Sequence, residues 1–224
     1  MIGAIGATIP LGLGIALNPL AIVVSILILR ATDSRRNGIA FAIGWVLGLA
    51  LLVALSTLLV QDQVVTRHRT PPTFIPWVWT ALGGFMLLAA ALALWRGRQQ
   101  GERAGPPRWL RAIDGGQAWH KMAIGLFLAT FSLRNLALLA AAASVIGQAG
   151  LVKVEMAIVA AAFVAISSAG ILIPLFVRLF GGESADAILQ QWGDWLTTHM
   201  ATLTAAVLAV LGLYLLSKGL PGVL

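Results

Sequence analysis

The sequence predicts an all-α integral membrane protein, with six transmembrane helices arranged as two inverted three-helix repeats, and three observations lead there. Of 224 residues, 59% are apolar and 10% charged, against roughly 45–50% and about 25% in soluble domains. The apolar residues arrive in blocks of about twenty, the helix length that crosses a hydrocarbon layer. The blocks fall three and three about one long basic loop, and an odd number of helices per copy turns the second copy upside down. Lipid is the one solvent in which such blocks need no further cover, because a helix satisfies its own backbone.

The first block, Ile2 to Leu29, lacks a basic stretch before it and exceeds a signal-peptide core in length, so it reads as a retained first span. Asn18-Pro19 interrupts it, with Pro10, Gly12 and Gly14 upstream. Proline has no backbone donor and frees the carbonyl four residues earlier, here that of Ile15, so a kink or break is expected at mid-depth. A charged turn, Arg30 to Asn37, leads into the second span, Ile39 to Val60. Gly38, Gly44 and Gly48 there allow close helix approach, and Gly83-Gly84 in the third span is read the same way. Between them lies Gln61 to Pro76 with Pro71 and Pro72; the third span runs from Ile75 to Trp95.

Residues 1–95 thus form the first repeat, residues 96–121 a basic loop with Pro106 and Pro107, and residues 122–224 the second repeat. Its spans are Met122 to Gly147, Val154 to Phe180 and Thr197 to Ser217. Before the last, Ala185, Ile188, Leu189, Trp192, Trp195 and Leu196 form a helical stripe opposite Asp186, Gln190, Gln191 and Asp194. That pattern predicts an amphipathic helix near 184–196 lying in the interface, its tryptophans at headgroup depth. Short internal matches support duplication: Leu94-Trp95-Arg96-Gly97 with Leu216-Ser217-Lys218-Gly219, and Asn18-Pro19-Leu20-Ala21 with Arg134-Asn135-Leu136-Ala137.

Ten Lys and Arg fall in loops one, three and five and four on the other side. The positive-inside bias therefore puts those loops in the cytoplasm and both termini outside, in a multi-pass plasma-membrane protein. Arg134 belongs to neither set. The net charge of +7 is scattered among short loops, with no basic, aromatic-interleaved stretch, so anionic headgroups are its expected partners and nucleic acid is not.

Cysteine is absent, which excludes disulfide shuttling and thiol catalysis. His68, His120 and His199 lie apart without metal-ligand spacing. No phosphate loop, nucleophile elbow or carboxylate pair occurs. The chain is therefore expected to be no enzyme and to carry no catalytic residue, metal or cofactor.

Arg134 is the most informative residue. It falls roughly twelve positions into the fourth span, near mid-membrane at ~1.5 Å per residue, where a guanidinium costs about 2.5–3.5 kcal/mol even on insertion scales and marks a pathway or site. All eight acids, Asp33, Asp62, Glu102, Asp114, Glu155, Glu183, Asp186 and Asp194, occupy loops or span ends. An anionic substrate group is then the expected counter-charge. Broken helices at mid-depth commonly line substrate sites. The candidate binding set is Asn18 and Pro19 in the first span with Ser132, Arg134 and Asn135 in the fourth. Ser167, Ser168 and Pro174 in the fifth form a weaker set.

Three stretches carry a family resemblance: Ala16-Leu17-Asn18-Pro19-Leu20-Ala21; the turn Ser34-Arg35-Arg36-Asn37 running into Ala40-Phe41-Ala42-Ile43-Gly44-Trp45-Val46-Leu47-Gly48; and the closing run from Trp195-Leu196 through Val210-Leu211-Gly212 to Ser217-Lys218-Gly219-Leu220. They resemble the actinobacterial glycopeptidolipid- and sulfolipid-addressing proteins of the lysine-exporter (LysE) superfamily. The family's mid-helix Asn-Pro-Lys-Asn segment is matched here by Ser132-Leu133-Arg134-Asn135, which keeps the cation and the final Asn. The resemblance implies export of an anionic lipid, glycolipid or other amphiphile across a bacterial plasma membrane. Export of a small amino-acid-type solute is the alternative, as is a role as accessory subunit of a larger lipid exporter. The expected partners are membrane lipids, the anionic lipid or small-molecule substrate, and a second copy or a lipid-export complex.

Overall fold

The computed structural model describes residues 1–31, 33–65, 75–100 and 117–222. Their regular structure is helical: α1 (Ile2–Ala16), α2 (Pro19–Arg30), α3 (Ser34–Val65), α4 (Ile75–Gln100), α5 (Ala118–Thr130), α6 (Leu133–Gln148), α7 (Lys153–Phe180) and α8 (Ala185–Gly219). Most of the loop predicted at Gln61 to Pro76 and of the basic loop at 96–121 lies outside the described residues. At their edges α3 continues to Val65, α4 to Gln100, and α5 begins at Ala118.

Four helical stretches are each long and apolar enough to cross a membrane: Ser34–Thr57, Trp79–Gly97, Lys153–Phe180 and Gly182–Gly219. The pairs α1–α2 and α5–α6 qualify only together, bent by 57° and 64°. Counting each bent pair as one crossing gives six. Outward faces carry Leu47, Leu51 and Leu55 on α3, Phe85 and Leu88 on α4, and Phe176 and Phe180 on α7, all exposed. Apolar surface of that extent needs lipid or a partner against it.

Small residues decide which helices meet. A side chain at Gly44 would strike the Met122 carbonyl, and one at Gly48 would press on Ala129 and Leu126, so α3 and α5 run side by side in parallel. Gly125 returns the contact against the Phe41 carbonyl. In the same way Gly12 abuts Ile166 and Ser167, and Gly170 abuts the Ala16 carbonyl, so α7 and α1 are also parallel neighbours. Helices α4 and α8 are antiparallel: Gly83 meets Gly212 and Leu216, Gly219 meets Thr80 and Pro76, and Gly97 meets Ala201. Close backbone approach replaces the hydrophobic effect, which lipid cannot supply between helices. The reading of Gly83-Gly84 as one packing unit needs correction, since Gly84 has open space where a Cβ would sit; successive residues point about 100° apart on a helix, so only one faces α8.

The segment near 184–196 is helical, and Ala185 and Leu189 of its stripe are buried, as is Gly193, while Trp192 and Trp195 stay exposed. It is continuous with the last span in the 35-residue helix α8 and is not set off from it as a helix of its own. No proline or turn residue separates the two. The Thr197 hydroxyl donates to the Gly193 and Asp194 carbonyls at 2.9 Å each, so it stays on its own helix and caps no new one. Gly193 seats this part of α8 on Ile26 of α2.

Glycine in left-handed backbone follows the ends of α6 and α7, at Gly150 (φ 63°) and Gly182 (φ 56°), the usual way a helix stops. Just before α8, Arg178 donates from Nε to Ser34 Oγ at 2.8 Å and pairs through Nη1 with Asp186 Oδ1 at 2.6 Å. This puts the start of α3 and the turn between α7 and α8 on one face, as alternating spans require. Asp186 is largely exposed, so the pair positions helix ends more than it stabilises them.

Adjacent glycines supply a test. Leucine at Gly83 should destabilise the detergent-solubilised protein by about 1–3 kcal/mol through overpacking, whereas leucine at Gly84 should leave its denaturant midpoint unchanged.

Candidate functional site

The first break follows from proline chemistry. Helix α1 stops at Ala16 because Pro19 has no N–H for the Ile15 carbonyl, and the Leu17 N–H closes the last turn on Leu13 at 2.9 Å. Asn18 is extended (φ −79°, ψ 102°) and caps α2, its Oδ1 accepting from the Ala21 N–H at 3.5 Å. Pro19 then occupies the first position of α2, where a missing donor costs nothing.

The second break has no proline, and apolar periodicity runs straight through it. Helix α5 ends at Thr130, and Ser132 (φ −93°, ψ 113°) caps α6 by accepting from the Asn135 N–H at 3.4 Å. Ending α5 there strips the Leu128 and Ala129 carbonyls of helical donors. Asn135, fully buried, repairs this by donating from Nδ2 to both, at 3.4 and 3.2 Å. The amide thus splints α5 to α6, while its Oδ1 is left buried without a hydrogen-bond partner. A Ser three residues before an Asn, a capping pattern inside an apolar block, was the signal available in the sequence.

Arg134 is the second residue of α6, half-buried, and its Nη2 is enclosed without a hydrogen-bond partner. Thirteen residues of α5 lie before the break, about 20 Å of helix, so the guanidinium is set well inside the bent pair. Among the described residues no carboxylate pairs with it: Asp186 is engaged by Arg178, and Glu155 accepts from the Val152 N–H at 3.3 Å.

The two breaks are brought together by α1 and α6. These helices pack antiparallel, Ala4 clustering with Ile146 and Gly14 facing Leu138, so the end of α1 adjoins the start of α6. Asn18 and Pro19 leave the first of these ends; Ser132, Arg134 and Asn135 build the second. Helices α2 and α6 both begin here, and helix N-termini present free N–H groups and positive dipole ends to an anion.

Ser167 and Ser168 are fully buried with unpartnered hydroxyls, Ser167 against Gly12 and Ser168 on the wall of a groove of about 800 Å³ between α3 and α7. None of the five residues at the breaks lines that groove. Pro174 is buried inside α7, which continues through it.

Apolar helices around two polar, capped interruptions, one bearing a cation, define a multi-pass membrane protein. Over residues 8–221 the chain matches the family model described as Sap, sulfolipid-1-addressing protein, and it belongs to that family. Comparison with curated proteins and with solved structures found no match.

Substitution separates the splint from the cap. Asn135→Leu should cost about 1–3 kcal/mol, since it orphans two buried carbonyls, and Ser132→Ala about 0.5–2 kcal/mol for the lost cap. Both are read from unfolding of the purified protein in mixed micelles.

Proposed function

We propose that the protein exports an anionic lipid, glycolipid or related amphiphile across the bacterial plasma membrane, with its substrate site where the ends of α1 and α6 adjoin. The observation that carries this reading is the enclosed, unpaired Nη2 of Arg134 at a mid-span break, in a chain whose family is described by sulfolipid addressing. The sulfate or phosphate of the cargo supplies the missing counter-charge. Asn18 and Ser132 offer uncharged contacts, the Oδ1 of Asn135 can accept from a hydroxyl of the cargo but not from its anionic group, and Pro19 keeps the α2 terminus open.

Two inverted three-helix halves are part of the proposal, and the packing supports them. Parallel contact of α3 with α5 is mirrored by parallel contact of α7 with α1, and α4 meets α8 antiparallel across the centre. A pseudo-two-fold axis in the membrane plane exchanges these pairs, and rocking of one half against the other would expose the breaks to each side in turn. The proposal includes extracytoplasmic termini, membership of the lysine-exporter superfamily, and no enzymatic step.

An accessory subunit of a larger lipid exporter is a second reading, favoured by the fact that the groove between α3 and α7 is not lined by Arg134. Purified protein in liposomes distinguishes the two. Wild type should move a fluorescent sulfated glycolipid between leaflets unaided, and Arg134→Gln should slow it at least tenfold while keeping its folded yield. Full activity in Arg134→Gln would remove the site; wild type inactive alone but active with a partner exporter would establish the accessory role.

A further inference from the structure

The groove between α3 and α7 is where bulk is missing from the lipid-facing surface. Ala50 and Ala54 line it from α3, and Ala157, Ala161 and Ala165 from α7, all of them exposed. Neighbouring outward positions on the same helices carry Leu51, Leu55, Ile158 and Ile173. A trough about 800 Å³ in volume results, within the ~300–1,000 Å³ typical of small-molecule sites.

Three polar residues interrupt this apolar wall, of which Thr57 spends its hydroxyl on the Val53 and Ala54 carbonyls at 2.9 Å each. Ser168 is 1% exposed, and its hydroxyl has no hydrogen-bond partner. Lys153 stands at the other end as the first residue of α7, exposed and without an ion pair among the described residues. Glu155, its nearest acid in sequence, is turned back to cap Val152. The α3 wall from Val46 to Thr57 is about 16 Å long and the α7 wall from Lys153 to Leu172 about 28 Å at ~1.5 Å per residue, against a hydrocarbon core of ~30 Å. A trough that runs along α7 with a cation at its mouth has the polarity of an anionic lipid, head at the interface and tail along the helices.

Resting on the lipid-export reading above, we propose that this groove is a lateral port, opening to the extracytoplasmic leaflet where α7 begins, that holds one acyl chain of an anionic-headed lipid as it passes between the protein and that leaflet, Lys153 holding the sulfate or phosphate. Free sulfate lacks the tail that fills the trough, and a zwitterionic lipid brings its own ammonium towards Lys153. Helices α3 and α7 are the middle helices of the two proposed halves, so the port lies on their seam.

The test uses the full chain in nanodiscs with lipids bearing one diazirine-labelled acyl chain and either a sulfated, a phosphatidylglycerol or a phosphatidylcholine head. After photolysis, labelled residues are mapped by mass spectrometry. Both anionic probes should label Ala157 to Val164 at least fivefold more than the phosphatidylcholine probe. Lys153→Gln should erase the preference, Ala161→Phe should reduce groove labelling for every probe, and added free sulfate should not compete. Equal labelling by all three heads, or an unchanged preference in Lys153→Gln, would reduce the groove to ordinary lipid contact and overturn the proposal. Arg134→Gln serves as the separating control. It should label as wild type does, so loss of the head preference in wild type counts against the groove, whereas undiminished transport in Arg134→Gln counts against the export site alone.

Discussion

Every backbone N–H and C=O that a helix releases inside a membrane must find a new partner, and this molecule interrupts two of its apolar spans. At the first interruption the sequence removes half of the problem: Pro19 has no donor to lose, although it frees the Ile15 carbonyl, and Asn18 caps the new helix, α2. At the second it has to solve it, and the Asn135 amide reaches back to the Leu128 and Ala129 carbonyls. In hydrocarbon an unsatisfied polar group costs several kcal/mol. The interruptions therefore fix the course of α1, α2, α5 and α6, and the other helices are arranged to cover them.

Glycine makes that covering possible. Gly44 and Gly125 let α3 lie directly on α5, and Gly12 and Gly170 do the same for α1 and α7. Each bent pair is thereby shielded on one side by a long, unbroken helix. The polar atoms that stay unpaired, Arg134 Nη2 and Asn135 Oδ1 among them, are held inside the protein and away from lipid. Such groups are costly and rare within a membrane, and in proteins they face the bundle interior.

Much of the fold could be read from the sequence because hydropathy reports on lipid directly. Block length located the crossings, and proline chemistry located the first break. The second break escaped because a serine cap and an amide splint leave no trace in apolar periodicity: Met122 to Gly147 reads as one uninterrupted span until the bond from Asn135 to Ala129 is seen. The join of the amphipathic segment to the last span escaped for the opposite reason, as a stripe predicts a helix without saying where it ends. Of the candidate site, Arg134 stood out through the cost of its charge. The role of Asn135 and the groove beside Ser168 depend on which helices become neighbours, and α3 and α7 are about a hundred residues apart in the chain.

Helix α8 carries 35 residues without interruption, about 52 Å at ~1.5 Å per residue, while the hydrocarbon layer is only ~30 Å thick. An upright α8 would project some 20 Å beyond that layer. Its first turns clasp α2 through Gly193 and, by way of Asp186 and Arg178, the root of α3, while its far end is bolted along α4 by Gly212 and Gly219. Such a rod is a lever: tipping it at one surface of the membrane displaces what it grips at the other.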